Sequence, residues 1–312
     1  MIKKIAVIGT GVIGSGWIIR FLAHDKKVIA FDKDIRLKKK IILEIKRTWP
    51  YVKKLFNKKK LKLKNFKYVT SLKEALKDAD FVQECAPENY KLKIKLMKMI
   101  GKYSKSNAII SSSSSGLLPS KIYSKCKNPS RTIIAHPFNP VYMIPGVELV
   151  PGKKTKKNIL NKANKFYKSI SMNPIMVKKE LPGYLSDRLQ EALWREALHI
   201  VNEGYATTKD LDRAIEDGPG LRWSLMGTFL TFHLAGGKAG MKHMLEQFGP
   251  ALKLPWTKLK APKLSKKLSS RVIIGTRNQA KGKSVEKLSK IRDEYLVKLQ
   301  KLRKKYEDKI RK

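Results

Sequence analysis

His136 and Glu148 are the residues whose types and spacing most directly offer acid–base chemistry. His136, one of five histidines, closes the apolar run TIIAH and is followed at once by PFNP. Twelve positions later Glu148 sits in GVELV, an apolar setting for a carboxylate. A buried carboxylate needs a partner. An imidazole supplies one, and the carboxylate in turn fixes the imidazole tautomer and stabilises its charged form. Chain leaving the C-terminal end of a strand lies at the ligand edge of an open α/β sheet. The pair therefore predicts a general base.

A second constellation is GTGVIG, residues 9–14, with Gly9, Gly11 and Gly14 around Val12 and Ile13. The glycine spacing alone has little specificity, but its context is richer. An apolar strand, IAVIG, precedes it, a helix from Ser15 to Leu22 follows, and Asp32 ends the next strand, VIAFD. That order suits a dinucleotide. The glycines make a tight turn and let a pyrophosphate approach the backbone, and the helix N-terminus faces it with unpaired N–H groups. Asp32 is placed to accept from ribose hydroxyls, which favours NAD over NADP; Lys33 beside it softens that preference.

A third feature is GPGLRWSLMGTF, residues 218–229, where Arg222 adjoins Trp223. Arginine is scarce here, 13 residues against 56 lysines. An arginine among Leu, Trp, Leu and Met calls for an anionic partner where it is buried. For Trp223, ordinary helix packing is the competing reading.

These residues need a scaffold. Strands are expected at 5–9, 28–32, 66–70, 81–85, 108–111, 132–136, 147–150 and 174–178, with helices between several of them. A lysine-rich helical stretch runs from about Ile35 to Lys60, and Ser71-x-x-Glu74 opens another helix as a capping box. The alternation predicts a mostly parallel sheet covered on both faces. After Leu181-Pro182-Gly183 only helical periodicity remains. YLSDRLQEALWREALHIVNEG reads as one helix stopped by Gly204, TTKDLDRAIED as a second capped by Thr207 or Thr208, and a last helix starts near Ser284. The last helix carries Val285, Leu288, Ile291, Tyr295, Leu299, Leu302 and Tyr306 at spacings of three and four, a stripe for its own domain or a partner subunit. Residues 1–180 and 181–312 are the expected domains.

Composition sets further bounds. The 312 residues carry 69 lysines and arginines against 25 acidic residues, a net charge of +44. The lysines are spread over nearly every segment without an aromatic-studded basic motif, so specific nucleic-acid binding is not expected. Cys85 and Cys126 are too few for a disulfide framework, which fits a reducing cytoplasm. Neither a secretory leader nor a membrane span is expected, and no metal-ligand set is read.

Over its whole length the sequence resembles the 3-hydroxyacyl-CoA dehydrogenase superfamily, in its lambda-crystallin and gulonate dehydrogenase branch, and within that the members acting on L-carnitine. The resemblance rests on GTGVIGSGW, ECAPENYKLK, SSSSSGLLPSK, AHPFNPVYMIPGVELVP, GPGLRWSLMGTFLTFHLAGG and QFGPALKLPWTKL. It implies a Rossmann-type doubly wound sheet followed by an all-helical C-terminal domain, with NAD as cofactor. By resemblance His136 is the base of the HPxNP motif, Glu148 its paired carboxylate, and Asn139 the asparagine of the same motif. Ser115 matches the serine that bonds the substrate oxygen, with Ser114 as fallback and the rest of the serine run read as a plain turn. Glu88 and Lys93 match residues beside the cofactor's ribose and nicotinamide. Many relatives have asparagine where this chain has Asp187, and an ionised carboxylate cannot donate a hydrogen bond.

The implied substrate is L-carnitine, or another 3-hydroxy acid such as gulonate, 3-hydroxybutyrate or a short 3-hydroxyacyl-CoA. A non-catalytic structural or nucleic-acid-binding protein is the remote alternative. For carnitine, Arg222 would fork onto the carboxylate. Aromatic faces among Trp223, Phe229, Phe232, Trp194 and Tyr184 would hold the quaternary ammonium, with Asp187 as countercharge. The resemblance also implies a homodimer through the helical domain, and a form without the thioesterase-like domain that some relatives append.

Overall fold

Short apolar runs rich in β-branched side chains form the sheet that carries the site. The computed structural model describes residues 2–310 except 59, 226, 251–253, 255, 256, 258, 259, 261, 262 and 264. Its strands are β1 (Lys4–Ile8), β2 (Lys27–Phe31), β3 (Phe66–Val69), β4 (Phe81–Glu84), β5 (Ile109–Ser112), β6 (Thr132–Pro137), β7 (Gly146–Val150) and β8 (Asn173–Met176). They form one sheet in the order β3-β2-β1-β4-β5-β6-β7-β8. Every neighbouring pair is parallel except β6–β7, which is antiparallel. β4, β5 and β6 are buried along their full length, as strands covered on both faces must be. All eight expected strands form, most within a residue or two of their expected ends.

The helices of this part are α1 (Val12–Ala23), α2 (Leu37–Leu55), α3 (Leu72–Leu76), α4 (Tyr90–Tyr103), α5 (Pro119–Ile122) and α6 (Lys157–Ser169). α1 begins at Val12, directly after Gly11, rather than at Ser15. Its own apolar run WIIRFLA is buried throughout. Ser71 caps α3 by accepting from the Glu74 N–H at 3.4 Å. α4 is capped by Asn89, whose side chain accepts from the Leu92 N–H at 3.0 Å.

The remaining helices are α7 (Ser186–Glu203), α8 (Thr208–Glu216), α9 (Pro219–Trp223), α10 (Thr228–Ala235), α11 (Gly240–Phe248), α12 (Lys266–Ala280) and α13 (Val285–Ile310). α7 stops at Gly204, whose φ of +82° suits only glycine without strain. Thr207 and Asp210 form a reciprocal capping box on α8. Two compact units result, residues 1–188 and 189–312. The division falls inside the first turn of α7, a little beyond the change of pattern at Leu181–Gly183. The physical reason is that this turn is hydrogen-bonded to β7, as described below. Among the described residues no helix is long and apolar enough to cross a membrane.

Candidate active site

The C-terminal edge of the parallel strands gathers most of the expected site residues. β6 and β7 place His136 and Glu148 directly opposite each other in register. Antiparallel partners project to the same face, so the two side chains meet. His136 Nδ1 lies 2.7 Å from Glu148 Oε2. Glu148 is completely buried and His136 nearly so. The start of α7 closes around the same carboxylate. Glu148 Oε1 accepts from the N–H of Leu185 at 2.9 Å and of Ser186 at 3.0 Å, and Oε2 accepts from Ser186 Oγ at 2.6 Å. Burial alone would raise the Glu148 pKa, but these bonds outweigh it and hold the carboxyl below its ordinary value. An ionised Glu148 requires the proton on Nδ1, leaving Nε2 as the basic nitrogen of the neutral ring.

Asp187, the next residue of α7, stands on that other side. Its Oδ1 is 3.7 Å from His136 Nε2, with the side chain about one-third exposed. Tyr184 packs against the imidazole, ring centroids 5.7 Å apart, and its hydroxyl donates to the Leu117 carbonyl at 2.7 Å. It is fully buried at a φ of +46°, so it is a wedge between His136 and the 114–117 loop rather than an open aromatic face. Asn139 is exposed, just before the cis Asn139–Pro140 bond.

The serine run is not a plain turn. Ser111 and Ser112 finish β5, and successive side chains engage different partners. Ser111 pairs with Tyr167, Ser112 donates to Glu84 at 2.5 Å, and Ser113 accepts from Trp17 at 3.0 Å and Gln83 at 2.8 Å. Ser114 Oγ donates to Glu88, which commits that hydroxyl to the protein. Ser115 contributes its backbone N–H to Glu88 at 3.0 Å, and Gly116 does the same at 3.3 Å.

Glu88 and Lys93 belong to this loop's support. Lys93 is almost wholly buried, and its ammonium is 2.8 Å from Glu84 Oε1, 2.9 Å from the Ala86 carbonyl and 3.5 Å from Glu88 Oε2. Its charge is turned into the protein, so Glu88, not Lys93, presents the polar surface. Sequence reasoning missed Glu84. Its one signal was a carboxylate inside the strand FVQEC, the same signal that singled out Glu148.

The glycine loop fits a dinucleotide. Gly9 has a φ of +94°, and a Cβ on Gly14 would lie 2.0 Å from the Gly9 carbonyl oxygen, so both positions demand glycine. A Cβ on Gly11 would meet nothing within 4 Å, so the loop leaves room there for a phosphate. α1 has no side-chain cap and no acidic residue in its first turn, leaving its N–H groups to an anion. Val12 is exposed and Ile13 half-buried beside it. Asp32 is pinned at the end of β2. Its Oδ2 accepts from Thr10 N–H at 3.0 Å and Thr10 Oγ1 at 2.8 Å, and its Oδ1 from Lys33 N–H at 2.8 Å. Thr10 is a further residue that the sequence did not single out.

Arg222 and Trp223 lie in the second unit, in α9. Both are exposed there, which removes burial as the reason for Arg222 to need a counter-ion. Trp194, Phe229 and Phe232 are exposed as well. Much of QFGPALKLPWTKL, including residues 251–253, 255, 256, 258 and 259, lies outside the described residues.

A dinucleotide cradle and a carboxylate-held histidine on one edge of a doubly wound sheet define a nicotinamide-dependent dehydrogenase. The chain belongs to the 3-hydroxyacyl-CoA dehydrogenase family: residues 4–181 match its NAD-binding domain and residues 183–275 its C-terminal domain. It is an NAD-dependent dehydrogenase acting on a CH–OH group. Among its relatives is the L-carnitine dehydrogenase of Oceanobacillus iheyensis, 53% identical, the match covering 95% of this chain and 97% of the relative. The L-carnitine dehydrogenase of Bacillus cereus is 49% identical over 98% of this chain and 94% of its own. The fold is shared with 5-formyl-3-hydroxy-2-methylpyridine 4-carboxylic acid 5-dehydrogenase (TM-score 0.81, 22% identity, covering 97% and 99% of the two chains). It is also shared with (S)-3-hydroxybutyryl-CoA dehydrogenase from Ralstonia eutropha (TM-score 0.63, 24% identity, 90% and 95%).

Proposed function

We propose that this chain oxidises the C3 hydroxyl of L-carnitine to 3-dehydrocarnitine, with His136 and Glu148 as the base pair. The observation that carries the reading is the setting of His136. Nδ1 is held by buried Glu148, and Nε2 faces the partly exposed carboxylate of Asp187 at 3.7 Å. A carboxylate beside the reacting position suits a substrate bearing a cation. The relatives named L-carnitine dehydrogenase support the same choice.

His136 Nε2 takes the hydroxyl proton, and Nδ1–H donates to Glu148, which stabilises the imidazolium. General-base help of this kind contributes roughly 10²–10⁴ in rate. Bound NAD would supply the hydride acceptor that the oxidation of the C3 hydroxyl to a ketone needs. Gly9, Gly11, Val12, Ile13 and Gly14 would hold its pyrophosphate, Asp32 the adenosine ribose, and Glu88, backed by Lys93, the ribose of the nicotinamide. Ser115 bonds the substrate oxygen; the commitment of Ser114 to Glu88 supports Ser115 over it. In residues 1–188 Asn139 and Asp187 are the candidate substrate contacts. In residues 189–312 the exposed planar fork of Arg222 suits a carboxylate, and Trp223 or another exposed aromatic suits a trimethylammonium.

The helical domain also serves a homodimer in this reading, in the cytoplasm. Leu288, Ile291, Tyr295, Leu302 and Tyr306 of α13 are exposed apolar residues that support an interface, and Cys85 and Cys126 are free thiols.

The test is NADH formation by the purified protein with L-carnitine, L-gulonate, 3-hydroxybutyrate and 3-hydroxybutyryl-CoA. L-Carnitine is expected to turn over fastest. An inert L-carnitine beside turnover of any of the other three overturns the substrate assignment.

A further inference from the structure

Arg20, in α1, is completely buried, and the chemistry above makes no use of it. Main-chain carbonyls hold its guanidinium. Nε donates to Val141 O at 2.7 Å, Nη1 to Ile170 O at 3.1 Å and Ser171 O at 2.9 Å, and Nη2 to Ile144 O at 3.1 Å. The Phe56 ring lies 5.2 Å from its central carbon. Burial lowers its pKa to about 9, so it stays charged at neutral pH. Burying a cation is costly unless its donors are satisfied in good geometry, so these four bonds are what allow it to remain.

The bonded carbonyls belong to two separate segments. Val141 and Ile144 lie in the loop from β6 to β7. Ile170 and Ser171 lie in the turn from α6 to β8. β7 runs between β6 and β8, so one planar fork fixes the segments leading into β7 and into β8. The same helix meets the loop a turn earlier, where a Cβ on Gly16 would fall 2.8 Å from Val141 Cβ. The N-terminus of this helix is the glycine cradle.

We propose that Arg20 is a positioning residue for the His136–Glu148 pair, fixing β7 against β6 from the helix that cradles the cofactor. The inference rests on the His136–Glu148 reading given above. A slip of one residue in β7 would turn Glu148 to the opposite face of the sheet, and a misplacement of about 1 Å already costs on the order of 10² in rate. The guanidinium geometry suits the task because its donors diverge in one plane and reach both segments together; an ammonium on a single carbon chain does not.

The experiment measures kcat, KM and NADH affinity for Arg20→Gln and Arg20→Lys, in the wild-type and the Glu148→Gln backgrounds. Expected is a kcat loss of about 10²-fold in the wild-type background, with NADH affinity and KM within about threefold of their starting values. In the Glu148→Gln background the further loss should stay below about threefold, because the pair that Arg20 positions is already broken. The same fractional loss in both backgrounds, or a kcat unchanged in the first, overturns the proposal. Should Arg20→Gln fail to fold, Arg20→Lys decides by the same criteria, since it keeps the charge but not the fork. Glu148→Gln alone separates the two readings. A normal rate there removes the His–Glu reading; a slow Glu148→Gln with multiplicative Arg20 losses removes only the role of Arg20.

Discussion

His136 and Glu148 face each other across the antiparallel β6–β7 pair, with Nδ1 and Oε2 2.7 Å apart. The contact fixes which nitrogen is basic and leaves Nε2 toward Asp187. Replacing His136 with alanine should therefore remove turnover, by at least about 10²-fold, while NADH binding stays near normal. The histidine is not part of the glycine cradle. Steady-state rates and an NADH titration on the same variant check both halves. A near-normal rate would show that the proton leaves by another route.

Glu148 also ties folding to acid. Its folded-state pKa lies below the ordinary 4.5, through bonds from His136, Ser186 and Leu185 that outweigh burial. The stabilisation is fully present above about pH 4.5 and is lost as pH falls through the folded value. Glu148→Gln should be less stable than wild type at neutral pH, and the gap should shrink at an acid pH below the ordinary 4.5. Urea unfolding midpoints at both pH values measure it; a gap that stays constant would mean the carboxylate carries no such linkage.

Local chemistry was legible in the sequence and long-range support was not. Gly9, Gly11, Gly14 and Asp32 announce themselves because strand, turn and helix are contiguous. His136 and Glu148 could be paired because one loop joins their strands. Arg20 offered no such signal, since its partners lie 121 to 151 positions away. Ser186 caps Glu148 from 38 positions away, and nothing local marks it. The serine run misled for the same reason. Its hydroxyls look like turn residues until β4 and the loop after it bring Glu84 and Glu88 beside them. Arg222 misled differently: apolar neighbours in sequence suggested burial, whereas α9 presents that side chain to solvent.

Lys93 and Glu84 are a buried pair whose two halves should not be removable singly. Lys93→Met would leave Glu84 without its cation in a site with almost no solvent access. Breaking such a pair costs about 3–5 kcal/mol. The double variant Glu84→Gln with Lys93→Met should recover part of that loss, because the stranded charge is gone. Urea unfolding of Glu84→Gln, Lys93→Met and the double variant provides the cycle. A loss for Lys93→Met within the range of about 0–1 kcal/mol typical of exposed pairs would contradict the burial argument.

Gly11 and Gly14 should separate folding from cofactor binding. A methyl on Gly14 would fall 2.0 Å from the Gly9 carbonyl oxygen, an overlap that backbone must relieve by moving. Gly14→Ala should lower thermal stability and NADH affinity together. A methyl on Gly11 meets nothing within 4 Å, so Gly11→Ala should keep wild-type thermal stability. Its NADH affinity should still fall, because that open space is the proposed place of the pyrophosphate. Thermal unfolding with and without NADH, beside an NADH titration, distinguishes the two. Unchanged binding by Gly11→Ala would place the phosphates away from this loop.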